Sequence, residues 1–308
     1  MDKLRILVSL ITDRNDYQIE QAAAAKAAAV KCGAQVEITY SGNDAVQQTQ
    51  QILSFIQEPG KRPDAILVEP VGTGMVQVAR AAVSASIAWG IINAEVDYLT
   101  ELRAHCMVPV FGVTSDNKEI GRIQGRQIAA LLGEKGCVLY VEGPSGRDTA
   151  TQRTAGVLSS KPAGVTLKML KGDWTEQSAY GALKSWLSLS TSRQLKVGMV
   201  ACQNDAMAMG ARRAFEALPD APQREEWLRL PLTGCDGVPG SGQAWVREGL
   251  LAATVISPPL MGRAVELLAD ALHSNAQPPE RTLVAASSFP ALEGMQTKAR
   301  SRTLVKSS

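Results

Sequence analysis

The sequence predicts an α/β protein with parallel sheets arranged in two lobes. Three observations predict it. Short apolar runs alternate with helix-length segments from the first residues onward, the alternation starts afresh near residue 120, and polar ledges stand where strands should end. The two most telling ledges are Gln203-Asn204-Asp205, after the apolar run 195–202, and Gly234-Cys235-Asp236-Gly237, after Leu230-Pro231-Leu232-Thr233. In an open parallel sheet the carboxyl ends of the strands form the crevice where ligands bind, so Asn204 and Asp236 can converge on one small molecule. An Asn offers donors and an acceptor, and an ionised Asp offers acceptors only. That pairing suits a ligand with several hydroxyls, and it describes sugar binding better than catalysis.

The first βα unit is the clearest. A strand over 5–11 feeds a polar loop, residues 17–31 form an alanine-rich helix ended by Cys32-Gly33, and 36–40 return as a strand. Gly33 suits a left-handed helix cap. A helix over 44–56 follows, then the buried strand 65–68, a helix over 74–85, a strand over 88–92 and a closing strand over 108–113. Thr114-Ser115-Asp116-Asn117 is a polar step with a helix-capping residue in place. The second array runs through helices at 120–132, 151–159, 175–189, 206–218, 242–248 and 260–274, with strands at 137–141, 166–170, 196–202, 230–233 and 252–256 and a short run at 283–286. The basic, polar tail beyond Gly294 is expected to fray.

With 308 residues and 45% apolar content, the chain can fill one large or two medium cores. Lys plus Arg number 32 against 30 Asp plus Glu, and no basic stretch is interleaved with aromatics, so nucleic acid is not an expected partner. The cysteines at 32, 106, 137, 202 and 235 are odd in number and never spaced C-x-x-C. Neither a zinc site nor a disulfide framework is signalled, and the thiols read as small core residues in a reducing compartment. The apolar run 6–11 is too short for an export signal and reads as a first strand, which places the chain as written in the cytoplasm. No window approaches the roughly 18 apolar residues of a membrane span, so no membrane insertion is expected.

Catalytic motifs are missing or broken. Gly72-Thr73-Gly74 begins a dinucleotide fingerprint, but Gln77 occupies the third glycine's place. Gly143-Pro144-Ser145-Gly146 lacks the Lys-Ser/Thr of a phosphate loop and reads as a tight strand-to-helix turn. His105 and His273 lie near no nucleophile or ligand cluster, and Glu225-Glu226 sit on a solvated helical face. No cofactor, no metal and no enzyme activity are expected.

Four motifs in order carry a family resemblance: Val113-Thr114-Ser115-Asp116-Asn117 leading to Gly121-Arg122, then Gln203 to Ala211, then Gly234-Cys235-Asp236-Gly237, then Gly249 to Val255. Over residues 4 to 292 the chain resembles the ribose-binding-like type I periplasmic binding proteins, and the ligand domains of LacI-type regulators look similar. The resemblance implies two Rossmann-like lobes with parallel sheets joined by a multi-strand hinge, with 1–114 plus 258–283 in one lobe and 115–257 plus 284–308 in the other. It implies a sugar held between them by hinge closure and a permease or signalling partner that reads the closed state. Carried over by position, Asn204 and Asp236 bond sugar hydroxyls, Trp174 covers the sugar ring, and the loop with Asn15 and Tyr17 supplies first-lobe contacts. Asp116 and Asn117 fall at the inter-lobe crossing, as capping or hinge residues.

Departures from the ribose binders are equally specific. Asn93-Ala94 replaces an Asp-Arg pair, Thr151 stands where they have a ligand-binding Arg, and Ser257 where they have a Gln. A buried hydroxyl without its partner costs about 1–3 kcal/mol, so these positions are expected to contact a ligand other than ribose. The family resemblance implies a periplasmic location if a signal was removed. A soluble cytoplasmic sensor is as well supported as a solute-binding component of an ABC-type uptake system, and the rival readings are a LacI-type ligand domain without its DNA-binding module and a Rossmann-type enzyme.

Overall fold

The computed structural model describes residues 3–295. Apart from Met295, the tail expected to fray lies outside the described residues. Along the chain come β1 (Arg5–Leu10), α1 (Asp16–Cys32), β2 (Gln35–Tyr40), α2 (Ala45–Gln57), β3 (Ala65–Val68), α3 (Val76–Ser84), β4 (Ala88–Ile92), α4 (Tyr98–Ala104) and β5 (Val110–Ser115). The second array is α5 (Asn117–Leu132), β6 (Lys135–Glu142), α6 (Asp148–Ser160), β7 (Gly164–Lys171), α7 (Glu176–Leu187), β8 (Val197–Cys202), α8 (Asp205–Glu216), α9 (Ala221–Arg229), β9 (Leu232–Thr233), α10 (Gly242–Arg247) and β10 (Thr254–Ile256). Last come α11 (Met261–Ser274), β11 (Arg281–Val284) and β12 (Ser287–Phe289).

The described residues fall into two compact units, those up to Ser115 with 259–284 and 116–258 with those from Ala285 onward. The chain passes from one to the other three times, after Ser115, Pro258 and Val284. The expected α/β class with parallel sheets holds in both.

The first unit has a six-stranded sheet in the order β2-β1-β3-β4-β5-β11, parallel throughout. Alternation along each strand sends residues to opposite faces. Ile6, Val8, Leu67 and Phe111 pack under α1 and α11, whereas Leu7, Ile66, Val68, Trp89 and Ile91 pack under α2, α3 and α4. Buried on both faces, these strands read as continuous apolar runs. At the C-terminal end of α1, Gly33 adopts φ 66°, and its N–H bonds back to Ala29 and Val30, as the sequence led us to expect.

A smaller sheet ordered β7-β6-β8-β9 forms the second unit, extended by parallel bridges from Thr233 to Ala253 and from Asp236 to Ile256. Val138, Tyr140 and Met199 face Ile128 of α5 and Val157 of α6. Leu139, Val141 and Val200 face the side carrying Leu183 of α7 and Met207 of α8.

Some elements differ from the sequence expectation. The strand expected over 108–113 lies two residues later, at 110–115, because Pro109 has no N–H for a ladder and β11 extends the pairing through Ser115. Helix α4 and strand β12 were not anticipated. Helix α9 buries no residue fully, and its Trp227 stacks on Phe215 at 5.0 Å between ring centroids.

Candidate functional site

Each sheet reverses its strand order once, between β1 and β3 in the first unit and between β6 and β8 in the second. That reversal is where an open α/β sheet leaves a crevice at the carboxyl ends of its strands. The candidate residues stand on the loops at those ends.

In the first unit the ledge is organised by a carboxylate that the sequence reading did not single out. Glu69, directly after β3, is 3% exposed, and its two oxygens accept from Gln18 Nε2 and Asn93 Nδ2, each at 2.9 Å. Gln48 donates to the Glu69 carbonyl at 2.9 Å and to Ser9 Oγ at 3.1 Å, while its own oxygen accepts from Val71 N–H. Asn15 is the N-cap of α1, its side-chain oxygen accepting from Gln18 N–H at 2.9 Å. Asn15 and Asn93 are thus joined through Gln18 and Glu69. Tyr17, the second residue of α1, is 7% exposed.

The second unit carries the Asn204 and Asp236 ledges. Asn204 caps α8 by accepting from Met207 N–H at 2.8 Å, and its amide donates to the Trp174 carbonyl at 2.9 Å. A primary amide has two N–H groups, so the cap and the Trp174 bond leave one donor for a ligand. Asp205 is the first residue of α8 rather than its cap. Its carboxylate accepts from Gly237 N–H at 2.8 Å and from Thr254 Oγ1 at 2.7 Å, and its own N–H donates to the Cys235 carbonyl at 2.6 Å. The two ledges are therefore stitched side by side. Ser257 joins them, its N–H donating to the Asp236 carbonyl at 3.0 Å.

Beneath Asn204 lies a buried polar network. Gln203, fully buried, accepts from Gly143 N–H, and its two amide hydrogens are shared among Tyr140 Oη, Thr154 Oγ1 and the Ala150 carbonyl, all within 3.0 Å. Arg153 is 4% exposed, donates to Asn117 Oδ1 and to the Gln203 carbonyl, and lies 5.7 Å from the Trp174 ring centroid. Burial pushes the Tyr140 hydroxyl up and the Cys235 thiol up to about 12, so both stay protonated. The Gly143 segment, expected as a plain turn, also seats Trp174: a Cβ on Gly143 would lie 2.3 Å from the indole ring.

Backbone strain marks the same residues. Six non-glycine residues among those described have positive φ, and three are the candidates Asn93 (56°), Trp174 (73°) and Asp236 (113°). Asn43 and Asn275 are ordinary occupants of that region. A Trp, or an Asp at 113°, is an outlier that costs about 1–3 kcal/mol and persists only where surrounding bonds enforce it. Such residues cluster at binding sites. Asn93 and Asp236 follow equivalent strands, β4 and β9, each fourth in its sheet order when counted from β2 and β7.

The other predicted positions are less involved. Thr151 is exposed on α6 and its hydroxyl donates to the Arg147 carbonyl of its own helical turn. Asp116, first residue of the second unit, caps α5 through Glu119 N–H, and Asn117 is held by Arg153. The described residues hold no group of three or more side chains suited to a metal, and all five cysteines are free thiols. Among them no helix is long and apolar enough to cross a membrane.

Two doubly wound parallel sheets, joined by three chain crossings and bearing polar ledges at the strand ends, define a bilobal α/β binding protein. The chain belongs to the periplasmic binding protein family, whose domain model matches residues 6–276, a family of binding proteins rather than enzymes. It is similar to the xylitol-binding protein of Mycolicibacterium smegmatis, with 29% identity over 203 residues, 64% of this chain and 52% of that protein. In structure it is similar to an ABC transporter periplasmic solute-binding protein of Actinobacillus succinogenes with bound D-allose: TM-score 0.80, 21% identity, 96% of this chain and 100% of that one. The fructose-binding periplasmic domain of a hybrid two-component system gives a TM-score of 0.77 at 22% identity, covering 99% and 97%. Those two likenesses establish the fold. The chain spans about half the length of the curated relatives it matches.

Proposed function

We propose that this protein binds a small polyhydroxylated ligand, a sugar or sugar-like polyol, as the solute-recognition component of an ABC-type uptake system in the periplasm. The observation that carries this reading is the paired ledge of the second unit. An amide donor at Asn204 and a carboxylate acceptor at Asp236 are held by neighbouring strands, the latter on a backbone that only its surroundings can enforce. Complementary donors and acceptors of this kind suit vicinal hydroxyls. Trp174 offers an aromatic face beside them, half-buried and bonded through its carbonyl to Asn204. In the first unit, Asn15 and Asn93 are linked through Gln18 and Glu69 and offer further polar groups at the strand ends. The ligands of the xylitol-binding relative and of the allose- and fructose-binding structures belong to the same chemical class. The LacI-type similarity is one of fold.

A thermal-shift screen against pentoses, hexoses, polyols, inositols and nucleosides tests the reading. A ligand at one hundred times its Kd stabilises the native state by about 2.7 kcal/mol, which raises the melting temperature by roughly 5–10 °C for domains of this size. A panel in which no sugar or polyol shifts the transition at millimolar concentration contradicts it.

A further inference from the structure

We propose that Asp205 is a positioning residue for ligand binding, acting through Asp236 rather than by touching the ligand. The proposal rests on the sugar-binding reading above for its functional meaning, and on geometry for its mechanism. Asp205 is 3% exposed, and it holds the chain on both sides of Asp236: its N–H donates to the Cys235 carbonyl and its carboxylate accepts from Gly237 N–H. Asp236 itself is tied to the next strand segment, its N–H donating to the Val255 carbonyl at 2.9 Å and its carbonyl accepting from Ser257 N–H. Cys235 C=O, Asp236 N–H, Asp236 C=O and Gly237 N–H, the four consecutive backbone groups that fix this φ of 113°, are thus all engaged.

The surroundings are cut to the same carboxylate. A Cβ on Gly234 would lie 2.1 Å from one Asp205 oxygen and a Cβ on Gly242 2.0 Å from the other, so glycine at both positions lets the backbone close around it. Thr254 Oγ1 donates to the oxygen that Gly237 does not use, which fixes the rotation of the carboxylate. An extended loop of ordinary φ would aim the Asp236 side chain elsewhere. Asp205 therefore sets where the acceptor stands, and the strain at Asp236 is the trace of that constraint.

The test is a double-mutant cycle with two arms. In the ligand-free arm, Asp236→Gly and Asp236→Ala are compared, because both remove the carboxylate and only glycine relieves the φ. The glycine variant should melt about 2–4 °C above the alanine variant. In an Asp205→Asn background that gap should shrink, because Gly237 N–H exchanges a charged acceptor for a neutral one and the loop is held less firmly. Thr254→Val provides the same comparison with a milder change should Asp205→Asn not fold, and there the gap should shrink. A gap of unchanged size in either folded background overturns the proposal.

In the binding arm, calorimetry with D-allose and D-fructose should show Asp205→Asn weakening the wild-type affinity about tenfold, with no further loss in an Asp236→Ala background. An equal loss in both backgrounds also overturns it. Wild-type protein that binds neither sugar counts against the ligand reading for those sugars, while the melting cycle still decides whether Asp205 constrains Asp236.

Discussion

Replacing Asn204 separates its two roles. Its oxygen caps α8 through Met207 N–H at 2.8 Å, and its nitrogen bonds the Trp174 carbonyl at 2.9 Å. Asn204→Ala loses both. A lost N-cap costs about 1 kcal/mol and a buried neutral hydrogen bond about another 1 kcal/mol, so the variant should be destabilised by about 2 kcal/mol. Asn204→Asp keeps the cap, and its charge at the helix N-terminus contributes about 0.3–1 kcal/mol in compensation. It also sets a carboxylate oxygen against the Trp174 carbonyl, so its stability should fall below wild type by about 1–3 kcal/mol. Affinity should behave differently. Both variants lack the N–H offered to a hydroxyl, and both should bind their sugar about 1–3 kcal/mol more weakly. Urea unfolding gives the first quantity, and titration calorimetry with the strongest sugar from the thermal-shift panel gives the second. An aspartate variant that binds as wild type does would reduce Asn204 to a helix cap and refute the reasoning.

Two further predictions follow from the buried polar groups. Glu69→Gln places an amide against two amide donors, Gln18 and Asn93; it should destabilise the first unit by about 1–3 kcal/mol and lower sugar affinity as Asn93 loses its anchor, and unchanged urea midpoint and affinity would count against the cluster. The Cys202 and Cys235 thiols are both pushed up by burial, the latter to about 12. Above the unfolded thiol value of about 8.5 the unfolded chain therefore binds fewer protons than the native one. Stability should fall with rising pH, by about 1 kcal/mol per pH unit for each thiol. Urea midpoints at pH 8 and pH 10 should show the loss, and a Cys202→Ala, Cys235→Ala double variant should show a flatter dependence; equal slopes in the two proteins would refute the assignment.

Strand β3 was legible to the residue because Ala65 to Val68 stand between Asp64 and Glu69-Pro70, so apolar run and strand coincide. The α1 boundaries and its glycine cap could be read for a similar local reason. Helix α4 was not legible: it buries only Leu99 and Leu102, and Asp97 at its start makes no side-chain cap. Helix α9 does carry start signals, Asp220 capping Gln223 and a proline in the first turn, although it has no apolar stripe to betray a helix. At the site, Asn204 and Asp236 were visible as polar residues ending apolar runs. Glu69 also ends one, but its role lies in partners 51 and 24 residues away. Arg153 is bound to positions 36 and 50 residues distant, and no local pattern encodes that. The carboxylate of Asp205 is committed to Gly237 and Thr254, 32 and 49 residues away, which its place beside Asn204 does not encode.

The most direct measurement is a calorimetric titration of wild-type and Asp236→Ala protein with the sugar or polyol that gives the largest thermal shift. One site is expected on the wild-type chain, with a loss of about 1–3 kcal/mol on removing the carboxylate, in a variant that still unfolds cooperatively. Equal affinity in the two proteins would contradict it.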